Sequence, residues 1–179
     1  MGIEPALDSQ VIAFTGLPGT GKSTLAERLA RTLGMPAFAG DWLMGSLKPH
    51  GVLYDLDRST YLALFYGLTE TLVVRQLMLG QSAITDCPID DGIARRWKLL
   101  AAEHGARLRV IECTCTDTAL HRSRIDGRER GIPGWHEIDW DHVERMRTDF
   151  PPLTVGRLVV DAVDPIEANV TRVLDYLAN

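Results

Sequence analysis

Short apolar runs alternate along this chain with longer stretches of helical spacing. The runs at 11–15, 82–86, 107–113 and 157–161, with a shorter one near 36–40, predict β-strands. Stretches at 22–33, 59–79, 91–104, 116–124, 139–147 and 165–177 place apolar residues three and four apart and predict helices. Gly34 and Gly80 stand just past two of these stretches, where a left-handed residue ends a helix. Asp117 or Thr116 can cap the fifth helix, and Pro165 can open the last. Strand, helix, strand, helix is the order of a parallel sheet covered on both faces. The segments 44–57 and 125–138 are rich in Gly, Pro and charge, and read as loops that can move over a substrate. On the helix at 59–79, Leu62, Phe65, Leu68 and Leu72 form an apolar face that serves either a core or a dimer seam.

The join between the first strand and the first helix carries chemistry. Residues 16–23 read Gly-Leu-Pro-Gly-Thr-Gly-Lys-Ser, and Thr24 follows. This is a complete Gly-x-x-x-x-Gly-Lys-Ser phosphate-binding loop in its strand–loop–helix setting. Gly16, Gly19 and Gly21 let the backbone turn tightly and bring N–H groups to phosphate oxygens, with Pro18 and Thr20 between them. The helix N-terminus adds partial positive charge at the same place. Lys22 can reach the β- and γ-phosphates, and the Ser23 hydroxyl can ligate Mg²⁺. A nucleoside triphosphate is the ligand expected here.

Composition narrows the partners. The 179 residues are 45% apolar and 24% charged, which fits one soluble globular domain spanning 1–179. A net charge of −5 lowers the prospect of broad binding to a nucleic-acid backbone. No apolar run is long enough to span a bilayer, and Met1–Pro5 lacks the basic start of a signal peptide. The three cysteines, Cys87, Cys113 and Cys115, are an odd count that suits reduced thiols and a cytoplasmic location.

Further candidates lie where strands end. In an open α/β sheet these ends face the ligand crevice. Asp41 follows the second strand and Asp86 the third. Phosphoryl transfer needs one carboxylate near the attacking hydroxyl and another near Mg²⁺ or the acceptor. A basic cluster, Arg122, Arg124, Arg128 and Arg130, runs with Gly127, Gly131 and Gly134 as hinges, so a lid is expected at about 122–138. Arg124 and Arg128 are the expected phosphate contacts, with Arg122 behind them. Trp42, Trp135 and Trp140 lie in or beside the loops and can stack on a flat acceptor or join the core. Trp97 is expected in the core. His121 and His136 flank the arginines and are expected to face solvent.

In this order, the motifs resemble the small P-loop kinases that include polynucleotide 5′-kinase domains, chloramphenicol phosphotransferase and gluconate kinase. The residues carrying the likeness are Gly16–Thr24, Gly40-Asp41, Thr85-Asp86, Arg122–Arg128 and Val159-Val160-Asp161. The resemblance implies an α/β, three-layer P-loop NTPase fold, with a parallel sheet of about five strands, helices on both faces and an Arg-rich lid. It also implies ATP as donor and Mg²⁺ as cofactor. Asp41 would be the general base toward the acceptor hydroxyl, with Trp42 beside it. Asp86 would orient the acceptor or help the metal, and Arg124 and Arg128 would clamp phosphates. The stretch after Asp161 would lie against the base.

The chain departs from the polynucleotide kinases in two places. No arginine follows Asp41, where the sequence is Asp-Trp-Leu-Met-Gly-Ser, and the third strand runs on into Asp86-Cys87-Pro88-Ile89. Both points favour a compact organic acceptor, a sugar, nucleoside or antibiotic hydroxyl, over an oligonucleotide. A 5′-hydroxyl polynucleotide kinase is the second reading, and a nucleotide-dependent switch that is not a kinase the third.

Overall fold

The computed structural model describes residues 9–179, so the reading of Met1–Pro5 lies outside the described residues. Five strands form one sheet: β1 (Gln10–Thr15), β2 (Ala37–Ala39), β3 (Ala83–Asp86), β4 (Arg107–Thr114) and β5 (Leu158–Asp161). Their order is β2-β3-β1-β4-β5, and every pairing is parallel. The helices are α1 (Lys22–Leu33), α2 (Gly40–Leu47), α3 (Arg58–Met78), α4 (Asp91–Glu103), α5 (Thr118–Ser123), α6 (Trp140–Asp149) and α7 (Ile166–Ala178).

β1 is central because both of its faces are buried. Ile12 and Phe14 pack with Leu25, Leu29, Val170 and Val173 under α1 and α7. Ala13 faces the opposite layer with Phe65, Tyr66 and Trp97 from α3 and α4, and Val11 joins Val73, Leu77 and Ala101 there. Strands buried on both sides read as unbroken apolar runs, which is why Val11–Phe14 shows no alternation. Trp97 is buried, as its helical position predicts. On α3, Phe65 is buried and Leu62 and Leu68 pack partly buried against the same cluster, so that face belongs to the core.

Aspartates begin four of the helices. Asp57, Asp90, Asp117 and Asp139 each accept hydrogen bonds from backbone N–H groups of the first turn, as N-caps do. Asp117, not Thr116, is the cap of α5, which is shorter than the expected 116–124. Gly34 closes α1 at φ 64° with its N–H on the Ala30 carbonyl.

One expectation fails. The loop predicted at 44–57 begins inside α2, and a 3₁₀ turn follows at Lys48–His50. Neither Gly40 nor Gly45 has a positive φ. Both are small because something lies against them. A Cβ on Gly40 would stand 2.2 Å from Phe65 Cζ, and one on Gly45 would stand 2.5 Å from the Pro133 carbonyl oxygen. Close packing, not turning, requires glycine at these two positions. Asp41 therefore sits in the first turn of a helix, where a carboxylate is favoured.

Candidate functional site

Parallel strands bring their carboxyl ends to one edge, and the candidate residues collect there. Phe14 pairs in register with Asp86, and Thr114 with Asp161. The loop after β1 returns over this edge with Gly16, Gly19 and Gly21 at φ 135°, 84° and 80°. These left-handed angles are open to glycine and strained for other residues. Thr20 Oγ1 donates to the Leu17 carbonyl at 2.7 Å and fixes the inner turn.

A cavity of about 960 Å³ opens above the loop. The phosphate loop and the start of α1 supply Lys22, Ser23 and Thr24 to its lining, β3 supplies Asp86, α2 supplies Asp41 and Trp42, and the arginine-rich segment supplies Arg128 and Arg130. A second cavity of about 420 Å³ adjoins it and is bounded by Gly19, Gly21, Arg124, Ala162, Asp164 and Asn169. Arg128 borders both.

Two polar groups in the first cavity stand out electrostatically. Asp86 Oδ1 is buried without a hydrogen-bond partner among the described residues. Burial pushes the Asp86 carboxyl above its ordinary range, while Lys22 and the Ser23 hydroxyl oppose that shift. A buried carboxylate facing a hydroxyl and an ammonium is a donor set that suits a hard divalent cation. Arg128 Nη2 is likewise buried and without a partner among the described residues. Burial first and Arg130 second bear against its positive charge, which Glu137 and Asp41 support. An anion at this point would relieve both effects.

Asp41 is engaged by the arginine-rich segment. Arg130 Nη1 donates to Asp41 Oδ2 at 2.5 Å, and its Nε donates to Glu137 Oε2 at 3.2 Å. Arg130 Nη2 also reaches the His136 carbonyl at 3.1 Å, so the guanidinium ties the segment to α2. The sequence singled out Arg124 and Arg128 within the cluster and passed over Arg130. Its signal was only membership of the cluster.

The other arginines separate by environment. Arg124 Nη2 donates to the Ala162 carbonyl at 3.0 Å and borders the second cavity, away from Asp41. Arg122 is exposed, lies 3.7 Å from Asp126 and rests over Trp140. That is a solvated face.

His121 corrects an expectation. It is buried, not exposed, and its Nε2 donates to the Pro18 carbonyl at 2.7 Å. Because a carbonyl only accepts, the proton resides on Nε2. The ring also meets Trp140 edge-on at 5.1 Å. His121 thus holds the phosphate loop from behind. His136 is exposed as expected, with its Nδ1 3.4 Å from Lys48 Nζ.

Other lining residues carry no motif. Tyr61, Phe65, Met146 and Phe150 come from α3 and the end of α6, and Arg58 pairs with Asp149 at 3.2 Å across that end. Phe65 was marked in the sequence only as part of an apolar helix face and the others not at all, because tertiary packing alone brings the end of α6 over α3. Among the described residues no helix is long and apolar enough to cross a membrane.

Proteins of known structure share this fold. No curated protein sequence matches the chain. In fold it is similar to a sugar kinase from Janibacter sp. HTCC2649, at 17% identity and TM-score 0.68, covering 96% of this chain and 95% of that one. A gluconokinase from Sinorhizobium meliloti 1021 also has 17% identity and TM-score 0.68, over 98% and 94% of the two chains. Shikimate kinase from Aquifex aeolicus is similar at 14% identity and TM-score 0.56, over 94% and 96%. A family described as an AAA domain matches residues 11–153, which takes in every strand but β5, and both Asp41 and Asp86. The chain belongs to this AAA_33 family, and its fold is that of the small P-loop kinases.

Proposed function

We propose that this protein is an ATP-dependent kinase that transfers the γ-phosphate to a hydroxyl of a small organic acceptor. The observation that carries the reading is a single chamber. The phosphate loop, a buried carboxylate oxygen and a buried arginine nitrogen without partners meet in it, and a second carboxylate, Asp41, shares its lining. The likeness in fold to proteins named as kinases agrees with it.

The loop N–H groups and Lys22 would hold the β- and γ-phosphates, with Arg128 beside them. Ser23 and Asp86 would hold Mg²⁺, which supplies charge that neutralises the phosphate oxygens. Arg124 and the stretch after Asp161 would bound the nucleoside. Asp41 would take the proton from the acceptor hydroxyl as its oxygen attacks phosphorus in line and the bond to the β-phosphate oxygen breaks. For that, the acceptor hydroxyl must displace Arg130 from Asp41. On this reading residues 122–138 are a lid, and Arg130 keeps the base covered while the acceptor is away.

A polynucleotide acceptor finds less support. Arg130 is committed to Asp41 and Glu137, and Arg58 to Asp149, which leaves few cations near the base for a phosphate backbone.

The test is transfer of labelled γ-phosphate from Mg·ATP to a panel of alcohols, with Asp41→Asn beside the wild type. We expect label on a small molecule, and in the variant a turnover lower by about a hundredfold or more with ATP affinity nearly intact. Loss of ATP affinity in step with turnover would instead make Asp41 a metal or structural residue.

A further inference from the structure

The acceptor end of the cavity is walled differently from the phosphate end. Trp42, Tyr61, Phe65, Trp135, Met146 and Phe150 line it, contributed by four separate parts of the fold. Its charged groups are already matched: Arg130 with Asp41 and Glu137, Arg58 with Asp149. The Tyr66 hydroxyl is spent on the Pro88 carbonyl at 2.9 Å. Burial, with Asp41 second, pushes the Tyr61 phenol up to about 12. The imidazoles of His136 and His142, the Tyr61 hydroxyl and the indole N–H groups of Trp42 and Trp135 are what remain, set on ring edges and enough for a few directed hydrogen bonds.

Resting on the kinase reading, we infer that the acceptor is an alcohol borne on an aromatic or fused-ring apolar body, and not a polyol or hydroxy acid. A sugar or sugar acid carries a hydroxyl on nearly every carbon, and each must find a partner when it leaves water. This end offers too few. Flat aromatic walls reward a ring that stacks on them, and the reacting hydroxyl needs only Asp41. Space is adequate. The adjoining cavity of about 420 Å³ takes the nucleoside beside Arg124, so much of the 960 Å³ chamber beyond the triphosphate is left to the acceptor.

The experiment measures binding and transfer separately on the full chain. Binding is followed by ligand-observed NMR with a saturating non-hydrolysable ATP analogue and Mg²⁺. One set of probes is naphthylethanol, phenylpropanediol and adenosine; the other is glucose, gluconate and shikimate. The expected result is binding of the aromatic set at least about tenfold tighter than the polyol set. Trp42→Ala should weaken naphthylethanol about fivefold or more, since it removes a stacking face. Trp42 is 51% exposed, so its loss leaves the fold in place. Tyr61→Ala serves as a second probe of the same wall. Equal or tighter binding of the polyols overturns the inference, and so does failure of the whole aromatic set to bind. Transfer is then read with Mg·ATP on the same alcohols. Aromatic binding without transfer sustains the chemistry of the cavity and defeats the kinase reading. Transfer confined to glucose, gluconate or shikimate does the reverse.

Discussion

The two ends of the cavity are built in opposite ways. The phosphate end comes from one continuous stretch, the end of β1, the glycine loop and the start of α1, with Asp86 next to it in register. Its backbone does much of the work, and the fully buried Phe14 and Leu29 anchor it from below. The end where we propose that the acceptor binds gathers side chains from α2, α3, the arginine-rich segment and α6. None of those elements is a strand of the sheet, and the segment between Arg128 and Asp139 has no regular structure. A site made of adjacent residues has a fixed spacing, whereas one made by packing has none. The first end should therefore depend on single residues, and the second on how well elements seat against each other.

The sharpest way to break this comparison is Lys22→Ala. We expect turnover to fall by about a thousandfold or more, because charge stabilisation in a water-excluded site is the largest single contribution an enzyme makes. Folding should be unaffected, since Lys22 is only partly buried. Thermal melting and steady-state kinetics on the same sample check both halves. Near-normal turnover would remove the phosphate loop from the reaction.

His121→Leu comes next and tests whether the two ends are mechanically joined. The substitution keeps most of the volume but strands the Pro18 carbonyl in a buried place. An unpaired buried acceptor costs about 1–3 kcal/mol, so the denaturation midpoint should drop visibly. The ring also lies 3.1 Å from where a Cβ on Gly19 would stand, so loop placement should suffer too. A nucleotide affinity that stays constant while stability falls would confine His121 to the core.

The sequence disclosed these two ends unequally. Gly16–Ser23, Asp86 and the five strands were legible, because each depends on local spacing or on burial along one strand. Asp41 was singled out by its place after a strand, although the helix that begins at Gly40 was missed. Gly40 was read at the end of a strand and Gly45 in a loop, and only contact with Phe65 and Pro133 explains them. Arg130 and the aromatic wall were not singled out for the site for the same reason. Partners that lie 89 positions apart, as Arg130 and Asp41 do, leave no periodic trace.

Gly45→Val sharpens the point, with a smaller effect. Its added side chain would meet the Pro133 carbonyl, whose backbone cannot yield cheaply. The arginine-rich segment should lift from α2 and carry Trp135 and Arg130 with it. We expect acceptor KM to rise and kcat to fall, together by about tenfold, with ATP-analogue affinity unchanged. Equal damage to nucleotide binding would mean that the ends are not separable. Titration calorimetry with the analogue, run beside acceptor kinetics, decides it.

The smallest effect concerns pH. His136 is held below its ordinary value of 6.5 by burial first, then by Lys48, His142 and Arg130. The seated segment thus prefers the neutral ring, and Lys48 donates to its Nδ1. A histidine whose value is depressed in the seated state binds fewer protons there than when released. Its contribution is full above the ordinary value and is lost as pH falls through that value toward the depressed one. Hydrogen exchange across 128–138, corrected for the intrinsic pH dependence of exchange, should therefore quicken modestly between about pH 7 and pH 5. Exchange in α1 should stay level over the same range. His136→Gln removes the titrating ring, and its exchange should no longer depend on pH in this window. If wild type and variant respond alike, the acid sensitivity of the segment lies elsewhere, with the carboxylates of Asp41 and Glu137 on Arg130 the next groups to test.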